Sequence, residues 1–309
     1  MYSIVIPVFN ESQTIPELIR RLTPVMNSLG TAEVIFVDDA SSDETFGILA
    51  QAHKADARIK AIRFSRNFGH QIAITAGMDH ANGEAIILMD GDLQDPPELI
   101  PRFIEEWKKG FEVVYAVKRN RKEFFLKRYA FSIFYRLLHS VSTISIPMDA
   151  GNFSLLDRKV LGVLRKMPER NRYISGMRAW AGFRQTGIEF DREARFAGKP
   201  QMSLTRLVNL ALDGIFSFSK APLRLGIYIG LFSALLAFIG TAYVIYAKIF
   251  TDRAIIGWTS VMLAVTFLGG MILVTIGIIG EYIGRIFDEV KQRPLYIVGD
   301  RVGVDSAPT

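Results

Sequence analysis

An apolar run passes directly into a cluster of acids at Ala85-Ile-Ile-Leu-Met-Asp-Gly-Asp-Leu-Gln-Asp-Pro-Pro-Glu98. Its first part, Ala85–Met89, has the length and composition of a buried strand. Four carboxylates follow between residues 90 and 98, although the whole chain is basic, with a formal net charge of +6. Negative charge concentrated at the end of a strand therefore needs a local explanation.

Short β-branched runs alternate with helical patterns on both sides of this stretch, from residue 2 to residue 120. The predicted strands are Ser3–Val8, Glu33–Val37, Ile59–Phe64, Glu84–Met89 and Glu112–Val117, and the predicted helices between them are Glu11–Leu29, Asp43–His53, Gln71–Ala81 and Pro97–Lys109. Strand–helix repetition of this kind indicates an α/β fold, with a mostly parallel sheet, helices on both faces and right-handed crossovers.

Acidic residues recur where the predicted strands end. Glu11 follows the first strand, Asp38 and Asp39 follow the second, and Asp90 and Asp92 follow the fourth. Ligands of open α/β sheets bind beyond the carboxyl ends of the strands, so these acids mark the candidate site. No glycine-rich phosphate loop follows the first strand, which argues against a dinucleotide or P-loop site.

Asp90 and Asp92 have the spacing of a metal-binding pair. In an extended chain they face the same side, and Gln94 lies on that side too. Two neighbouring carboxylates repel each other unless a cation lies near them, and Mg²⁺ typically takes one or two carboxylates together with substrate phosphates. We therefore predict that Asp90, Asp92 and Gln94 hold Mg²⁺ or Mn²⁺. Gly91 between them is expected to let a ligand approach the backbone closely.

Other polar residues near these acids are assigned different roles. Asp95 and Glu98 flank two prolines and are expected to cap the helix that follows. The chain has four histidines without the spacing of metal ligands, and we interpret them as structural. The exception is His70, because it follows the segment Arg66-Asn-Phe-Gly69 beside the candidate site.

Two long stretches carry no charge: Leu225–Ala247, with 23 residues, and Ile255–Gly280, with 26. Roughly 20 apolar residues cover a bilayer core of about 30 Å, so both are predicted to be membrane-spanning helices. Two buried helices of a soluble protein are the alternative. More cations lie at the outer ends of the two predicted spans than in the short link between them. This distribution favours a catalytic domain on the cytoplasmic side.

The domain organisation follows from these patterns. We divide the chain into a cytoplasmic catalytic domain (1–202), an amphipathic juxtamembrane helix (203–220), a transmembrane hairpin (221–285) and a cytoplasmic tail (286–309), in which no pattern is apparent after Pro294. This organisation predicts a multi-pass protein of the inner (plasma) membrane. The chain has no cysteine, which excludes disulfides and thiolate chemistry.

The basic excess is concentrated beyond the predicted sheet. Five cations lie within the ten residues from Arg119 to Arg128, and more follow between Arg158 and Arg184. Anionic headgroups attract such segments by about 1 kcal/mol per cation. No signature of a nucleic-acid-binding module is present. We therefore expect the lipid bilayer and an anionic lipid as partners, and no nucleic acid.

The strand ends carry a set of motifs: Ile4-Val-Ile-Pro-Val-Phe-Asn-Glu11, Phe36-Val-Asp-Asp-Ala-Ser-Ser-Asp43, Arg66-Asn-Phe-Gly-His-Gln71 and Asp90-Gly-Asp-Leu-Gln-Asp-Pro-Pro-Glu98. In combination they resemble the family-2 glycosyltransferases of Rossmann-like GT-A fold. Together with the two C-terminal spans, nearly the whole chain resembles the polyprenyl-phosphate glycosyltransferases, among them bactoprenol glucosyltransferases and dolichol-phosphate mannose synthases.

This resemblance implies roles for residues at the strand ends. Pro7, Phe9 and Glu11 would line the nucleotide pocket, and Asp38 or Asp39 would hold the base or ribose. The acidic pair, with Gly91 and Gln94 beside it, would meet the metal and the diphosphate of the donor.

The resemblance extends to residues beyond the fifth strand. Arg119 would close over the donor phosphate, and Asp149 and Asp157 belong to a segment whose acids face the acceptor. Arg195-Phe-Ala-Gly198 resembles the start of an R-x-x-G-x-S-K motif, but the usual Ser and Lys are replaced. Lys199 could substitute for the missing lysine in contacting the acceptor.

The resemblance implies that a sugar is transferred to undecaprenyl phosphate with inversion at the anomeric carbon. It further implies that the sugar is glucose and that the donor is UDP-glucose. Asp92 and Arg119 would stabilise the leaving diphosphate. Asp157 would orient or deprotonate the acceptor, which needs little help because the second pKa of a phosphate monoester is about 6.

Several alternatives stay open at this point. Another sugar, such as mannose from GDP-mannose, would use the same motifs. A processive polysaccharide synthase is disfavoured because no Trp follows an Arg, as a Q-x-x-R-W motif would require. A non-catalytic membrane adaptor would be expected to lack the Asp90/Asp92 pair. Two spans occupy only a small area of the membrane, so assembly into a homo-oligomer is a further open alternative.

Overall fold

The structure is a computed structural model that describes residues 1–118, 150–191, 221–250 and 257–305. These residues fold into two compact units. The first contains the sheet and is built from the described residues of 1–191 together with 293–305. The second contains 221–250 and 257–292.

Strands and helices alternate along the first unit, as the sequence predicts. Its elements are β1 (Tyr2–Val8), α1 (Ile15–Leu29), β2 (Ala32–Asp38), α2 (Thr45–Ala55), β3 (Ile59–Phe64), α3 (His70–His80), β4 (Ala85–Leu88), a 3₁₀ turn (Pro97–Leu99), α4 (Ile100–Lys108), β5 (Val113–Lys118), β6 (Ala150–Asp157), α5 (Arg158–Lys166), α6 (Ile174–Trp180), β7 (Gln185–Phe190) and β8 (Val298–Val302). The first two helices begin later than predicted, because Glu11 and Asp43 hold the preceding loops by hydrogen bonds.

The eight strands form one mixed sheet in the order β7-β5-β6-β4-β1-β2-β3-β8. The parallel strands β4, β1, β2 and β3 form its centre. β6 runs antiparallel to β4 and β5, and β8 runs antiparallel to β3. All the other strands therefore end at the same edge, which we call the carboxyl edge.

Helices cover both faces of the sheet. Ile4, Ile6 and Val8 of β1 belong to the core beneath α1 and α4. Val5 points to the opposite face, where α3 packs so closely that a Cβ added at Gly77 would overlap Val5 Cγ1. Successive residues of β1 point to opposite faces of the sheet, and helices bury both faces. The sequence therefore shows a continuous apolar run rather than an alternation of apolar and polar residues.

In the sheet unit, sequence patterns did not reveal β6, α5, α6, β7 or β8. The last of these is β8. It is short and largely exposed, and it lies in the segment where no pattern was apparent. Pairing with β3 stabilises it, from Ala61 opposite Val302 to Phe64 opposite Val298, and makes β8 the edge strand of the sheet. Just before β8, the ring of Tyr296 stacks on that of Phe64 with a centroid distance of 5.3 Å.

The second unit consists of two long helices, α7 (Ala221–Phe250) and α8 (Trp258–Val290). Within the described residues, one stretch of α8, Phe267–Val290, is long and apolar enough to cross a membrane, and it is not buried by the rest of the protein. Gly226–Gly240 of α7 is a shorter apolar stretch. The structure thus supports one of the two predicted spans, and the other stays a prediction.

Candidate active site

The acidic turn, which we define as Asp90–Asp95, lies at the carboxyl edge directly after β4. Asp92 is 8% exposed, and its Oδ1 accepts a hydrogen bond from the backbone N–H of Gln94 at 3.1 Å. This side-chain bond to the residue two positions on forms an Asx turn and holds Leu93 at a φ of 60°. The Asp90 carboxylate, 35% exposed, faces Nε2 of His70 at 3.0 Å.

Asp95 closes this turn instead of capping a helix. Its Oδ2 accepts a hydrogen bond from the Asp90 N–H at 3.3 Å. Neither the 3₁₀ turn nor α4 receives a side-chain cap, so the capping role expected for Asp95 and Glu98 was wrong. Glu98 instead forms a paired contact with Arg21 of α1, at 2.9 and 2.7 Å.

Gly91 is required by the packing of the sheet. A Cβ added there would lie 2.9 Å from Val8 Cγ1 and 3.2 Å from the carbonyl oxygen of Pro7. The close neighbour of Gly91 in the structure is β1, and the approach of a ligand expected from the sequence stays a prediction. Any side chain at this position would push the acidic turn away from the end of β1.

The loop after β1 is tied to the loop after β2. Pro7 lies in β1 opposite Val37, and Phe9 is half-buried at the strand end. Asn10 adopts a φ of 54°, and its Oδ1 accepts a hydrogen bond from the N–H of Ser42 at 2.9 Å. Glu11 Oε2 accepts a hydrogen bond from Thr14 Oγ1 at 2.7 Å at the start of α1.

Asp38 is fully buried at the end of β2. Its Oδ1 accepts hydrogen bonds from the N–H and the hydroxyl of Ser41, at 2.9 and 2.5 Å. Its Oδ2 lies 3.6 Å from Arg63 Nε, and no described residue donates a hydrogen bond to it. Burial raises the pKa of Asp38, although Ser41 and Arg63 oppose the rise. Asp38 Oδ2 therefore has acceptor capacity left for a ligand.

Asp39 positions the loop that leads to His70. Its two carboxylate oxygens accept hydrogen bonds from the N–H groups of Phe68 and Gly69, at 2.6 and 2.9 Å. Burial raises the pKa of Asp39, although these hydrogen bonds oppose the rise. Sequence reasoning missed this role, because nothing in the pattern connects residue 39 with residues 68 and 69.

His70, the exception among the histidines, begins α3 beside the acidic turn. Burial disfavours the charged imidazole, but the carboxylates of Asp90, Asp39 and Asp92 outweigh it and raise the pKa of His70. The protonated ring can donate from Nε2 to Asp90. When protonated, His70 places a positive charge beside Asp90.

Asp157 does not join this group. β6 runs antiparallel to β4 and places Asp157 opposite Ala85, at the amino end of β4 and at the edge opposite the acidic turn. Its Oδ1 accepts from the N–H of Lys159 as the N-cap of α5, and its Oδ2 accepts from Trp107 Nε1, both at 2.8 Å. These contacts contradict the expected catalytic role of Asp157 and assign it a structural one.

The remaining predicted site residues lie outside the described residues. They are Arg119, Asp149, Arg195 and Lys199. The predicted amphipathic helix at 203–220 lies outside them as well.

The donor set fits a divalent cation that also binds substrate phosphate. The described residues contain no group of three or more His, Asp or Glu side chains arranged to hold a metal. Asp90 and Asp92 nevertheless offer two carboxylates in one turn, partly exposed at Asp90. Mg²⁺ commonly takes one or two protein carboxylates and completes its six ligands with phosphate oxygens and water.

Comparisons with known proteins give matches along most of the chain. Residues 3–165 match the family described as glycosyl transferase family 2, and residues 221–286 match the GtrB C-terminal hairpin. The uncharacterized glycosyltransferase YkcC of Bacillus subtilis (strain 168) is 47% identical over 99% of this chain and 95% of its own length. The SfII prophage-derived bactoprenol glucosyl transferase of Shigella flexneri is 40% identical over 96% of each chain.

A solved structure shows a weaker similarity. Glucosyl-3-phosphoglycerate synthase from Mycobacterium tuberculosis, in complex with Mn²⁺, UDP and phosphoglyceric acid, is 16% identical and covers 70% of this chain and 76% of its own, with a TM-score of 0.49. This similarity is too low to argue from. The family match spans more than half of the chain, and the relatives align over nearly all of it. The protein therefore belongs to glycosyl transferase family 2.

Proposed function

We propose that this protein transfers glucose from UDP-glucose to a polyprenyl phosphate, undecaprenyl phosphate, at the membrane. One observation carries the proposal: the chain combines an acidic turn at the carboxyl edge of its sheet with an apolar helix that the protein does not bury. A sugar donor is soluble in water, whereas a polyprenyl acceptor lies in the bilayer. An enzyme that joins them needs both features.

Support for the acceptor comes from the relatives. The Shigella flexneri protein is named a bactoprenol glucosyl transferase and aligns with 96% of this chain. The match to the GtrB C-terminal hairpin covers α7 and most of α8. We therefore place both helices in the membrane, with the sheet on the cytoplasmic side.

The donor would bind along the carboxyl edge. Pro7, Phe9 and Glu11 lie at the end of β1, where they would line the nucleotide pocket. Asp38, whose Oδ2 lacks a hydrogen-bond donor among the described residues, would accept one from the base or ribose. Asp39 would act indirectly, by holding the loop before His70.

The acidic turn would hold Mg²⁺ or Mn²⁺ through Asp90 and Asp92, with Gln94 beside them. When bound, such an ion neutralises charge on the leaving diphosphate. His70 would orient the Asp90 carboxylate and reduce repulsion between the two acids. A lipid phosphate oxygen would attack the anomeric carbon directly, which gives inversion of configuration.

The test uses the full-length protein in detergent with a short-chain polyprenyl phosphate. UDP-glucose, GDP-mannose and other nucleotide sugars are offered separately, and lipid products are identified by mass spectrometry. We expect one glucose per lipid, in the β configuration, from UDP-glucose alone. Mannosyl lipid from GDP-mannose would change the assigned donor. Several sugars on one lipid would point to a processive synthase, and no lipid product from any donor would refute the proposal.

A further inference from the structure

Arg178 of α6 is a buried arginine for which the described residues supply no counter-ion. It is 1% exposed, and its Nε and Nη2 are buried without a hydrogen-bond partner among the described residues. Nη1 makes one long contact, 3.5 Å to the carbonyl oxygen of Gly151, and the guanidinium carbon lies 5.3 Å from the centre of the Tyr115 ring. Buried polar groups in folded proteins are almost always hydrogen-bonded, so this exception needs an explanation.

Arg172, six residues earlier, shows what a structural buried arginine looks like in this fold. It is 7% exposed, and its guanidinium donates to the backbone carbonyls of Glu169, Leu164 and Met167. These bonds close the turn between α5 and α6. The described part of the chain offers Arg178 no comparable set of acceptors, so backbone contacts of this kind do not explain its burial.

Strand register and one hydrogen bond relate the neighbours of Arg178 to the acidic turn. Nη1 contacts Gly151 of β6. The last pair between β6 and β4 at the carboxyl edge is Ser154 opposite Leu88. Gly151 lies three residues further along β6, on the side of the acidic turn. The start of α6 is tied to α3, because the N–H of Ile174 donates to Gln71 Oε1 at 3.1 Å. Gln71 directly follows the histidine that faces Asp90.

The charge of Arg178 persists at neutral pH. Burial lowers the pKa of Arg178 to about 10, with Tyr173 and Tyr115 partly opposing the change. The group is thus a cation held out of water. Its planar fork of N–H groups matches two oxygens of a phosphate. Gly151, which Nη1 contacts, and the adjacent Asn152 are only half-buried.

We propose that Arg178 is a phosphate-binding residue of the active site, whose Nε and Nη2 receive oxygens of a substrate phosphate. The inference rests on the proposed function, in which donor and acceptor both carry phosphate. The nucleoside diphosphate and the lipid monophosphate present the same chemistry to a guanidinium, and experiment must separate them.

The experiment compares Arg178→Met and Arg178→Lys with Arg172→Met in the full-length protein in detergent. Thermal unfolding is followed without ligand and with UDP, pyrophosphate or a short-chain polyprenyl phosphate. Without ligand, Arg178→Met should unfold no earlier than wild type, because it removes an unpaired buried charge. Arg172→Met should unfold earlier, because three carbonyls lose their donor.

With ligand, Arg178→Met should bind at least one phosphate probe at least tenfold more weakly than wild type, and Arg172→Met should keep wild-type affinity in its folded fraction. Loss for UDP and pyrophosphate assigns Arg178 to the donor, and loss for the polyprenyl phosphate alone assigns it to the acceptor. If Arg178→Met does not fold, Arg178→Lys decides, because it keeps the charge and loses the fork.

Wild-type affinity of the Arg178 variants for all three probes would overturn the inference, as would failure of wild type to bind any of them. Binding that depends on Arg178 without sugar transfer would leave the inference standing and refute the proposed function.

Discussion

Asn10, Ala40 and Leu93 share a backbone conformation that is uncommon for residues other than glycine. They have φ values of 54°, 61° and 60°, and they lie in the loops after β1, β2 and β4. Each such residue costs on the order of 1–3 kcal/mol and persists only where its surroundings enforce it. Here side-chain hydrogen bonds to Ser42, Ser41 and Gln94 do so. The candidate site is thus built from loops that polar side chains hold in place.

The charge of Asp92 is predicted to be needed for transfer but not for folding. Asp92→Asn keeps an oxygen that can accept from the Gln94 N–H, so the turn should survive. The loss of charge should lower the transfer rate at least about 100-fold, roughly 2.7 kcal/mol of barrier, with an unchanged melting temperature. Rates with saturating Mn²⁺ and with excess chelator provide the measurement. Wild-type turnover by this variant would rule out the metal role.

Asp157, in contrast to Asp92, is predicted to be needed for stability but not for transfer. Asp157→Ala removes the N-cap of α5 and the acceptor of Trp107 Nε1. Loss of a cap typically costs about 1 kcal/mol, so the variant should unfold at lower denaturant concentration. Its transfer rate per folded molecule should equal that of wild type. If stability is kept and transfer is lost, the catalytic role inferred from the resemblance would be restored.

Among the elements, β1, β2 and β3 are joined at the amino edge of the sheet by Glu33. Its Oε1 accepts from Ser3 Oγ at 2.5 Å and from the Asn82 N–H at 3.0 Å, and its Oε2 accepts from Lys60 Nζ at 2.7 Å. This network is fully paired and lies away from the acidic turn. We therefore expect this network to stabilise the fold and not to take part in the candidate active site.

Glu33 is predicted to make the protein less stable in acid. Burial opposes ionisation, but Lys60, Ser3 and Asn82 outweigh it and lower the pKa of Glu33. A carboxylate with a lowered pKa contributes stability above the pKa of the unfolded chain, about 4.3, and loses it as pH falls through the lower folded pKa. Glu33→Gln should therefore flatten the dependence of the unfolding free energy on pH below about 5. An unchanged slope in denaturant titrations at several pH values would contradict this.

The two long helices touch near Gly226. A Cβ added there would lie 3.3 Å from Thr275 Cγ2, whereas Gly230, Gly280 and Gly284 have open space around them. The two long helices contain two G-x-x-x-G patterns, Gly226–Gly230 and Gly280–Gly284, and of these four glycines Gly226 is the one at the contact between α7 and α8.

Gly226→Leu should weaken the helix pair, and Gly230→Leu serves as the matched control. The larger side chain at 226 must displace Thr275, whereas at 230 it extends into open space. We expect a lower melting temperature in detergent for the first variant only. Equal melting temperatures would show that the helices adjust without cost.

In the whole molecule, the sheet unit is built from two separate parts of the chain. The described residues of 1–191 supply β1 to β7, and β8 follows α8 near the end of the sequence. Tyr296 anchors this return, because its hydroxyl donates to Asp79 Oδ2 at 3.1 Å and its ring stacks on Phe64. Without β8, β3 would be an edge strand with unpaired backbone groups. β8 pairs with these groups.

A fragment that ends near Lys220 should therefore be less stable than the sequence alone suggests. It keeps the acidic turn but lacks β8 and Tyr296. A second fragment, in which 1–220 is joined to 293–305 by a flexible Gly/Ser linker, should have the higher melting temperature and aggregate less. Donor binding is measured for both by calorimetry. Equal stability would show that β8 contributes little to the sheet.

The sequence by itself determined the local features of this protein: the alternating strands and helices up to residue 118, the acids at the strand ends, the uncharged stretches and the family. Each of these depends on neighbours along the chain, such as apolar periodicity or short motifs. Only the tertiary structure decided what individual side chains do. Strand direction moved Asp157 to the far edge, sheet pairing brought Asp39 to Phe68 and created β8, and helix packing buried Arg178. These outcomes depend on contacts between residues far apart in sequence, which no local pattern encodes.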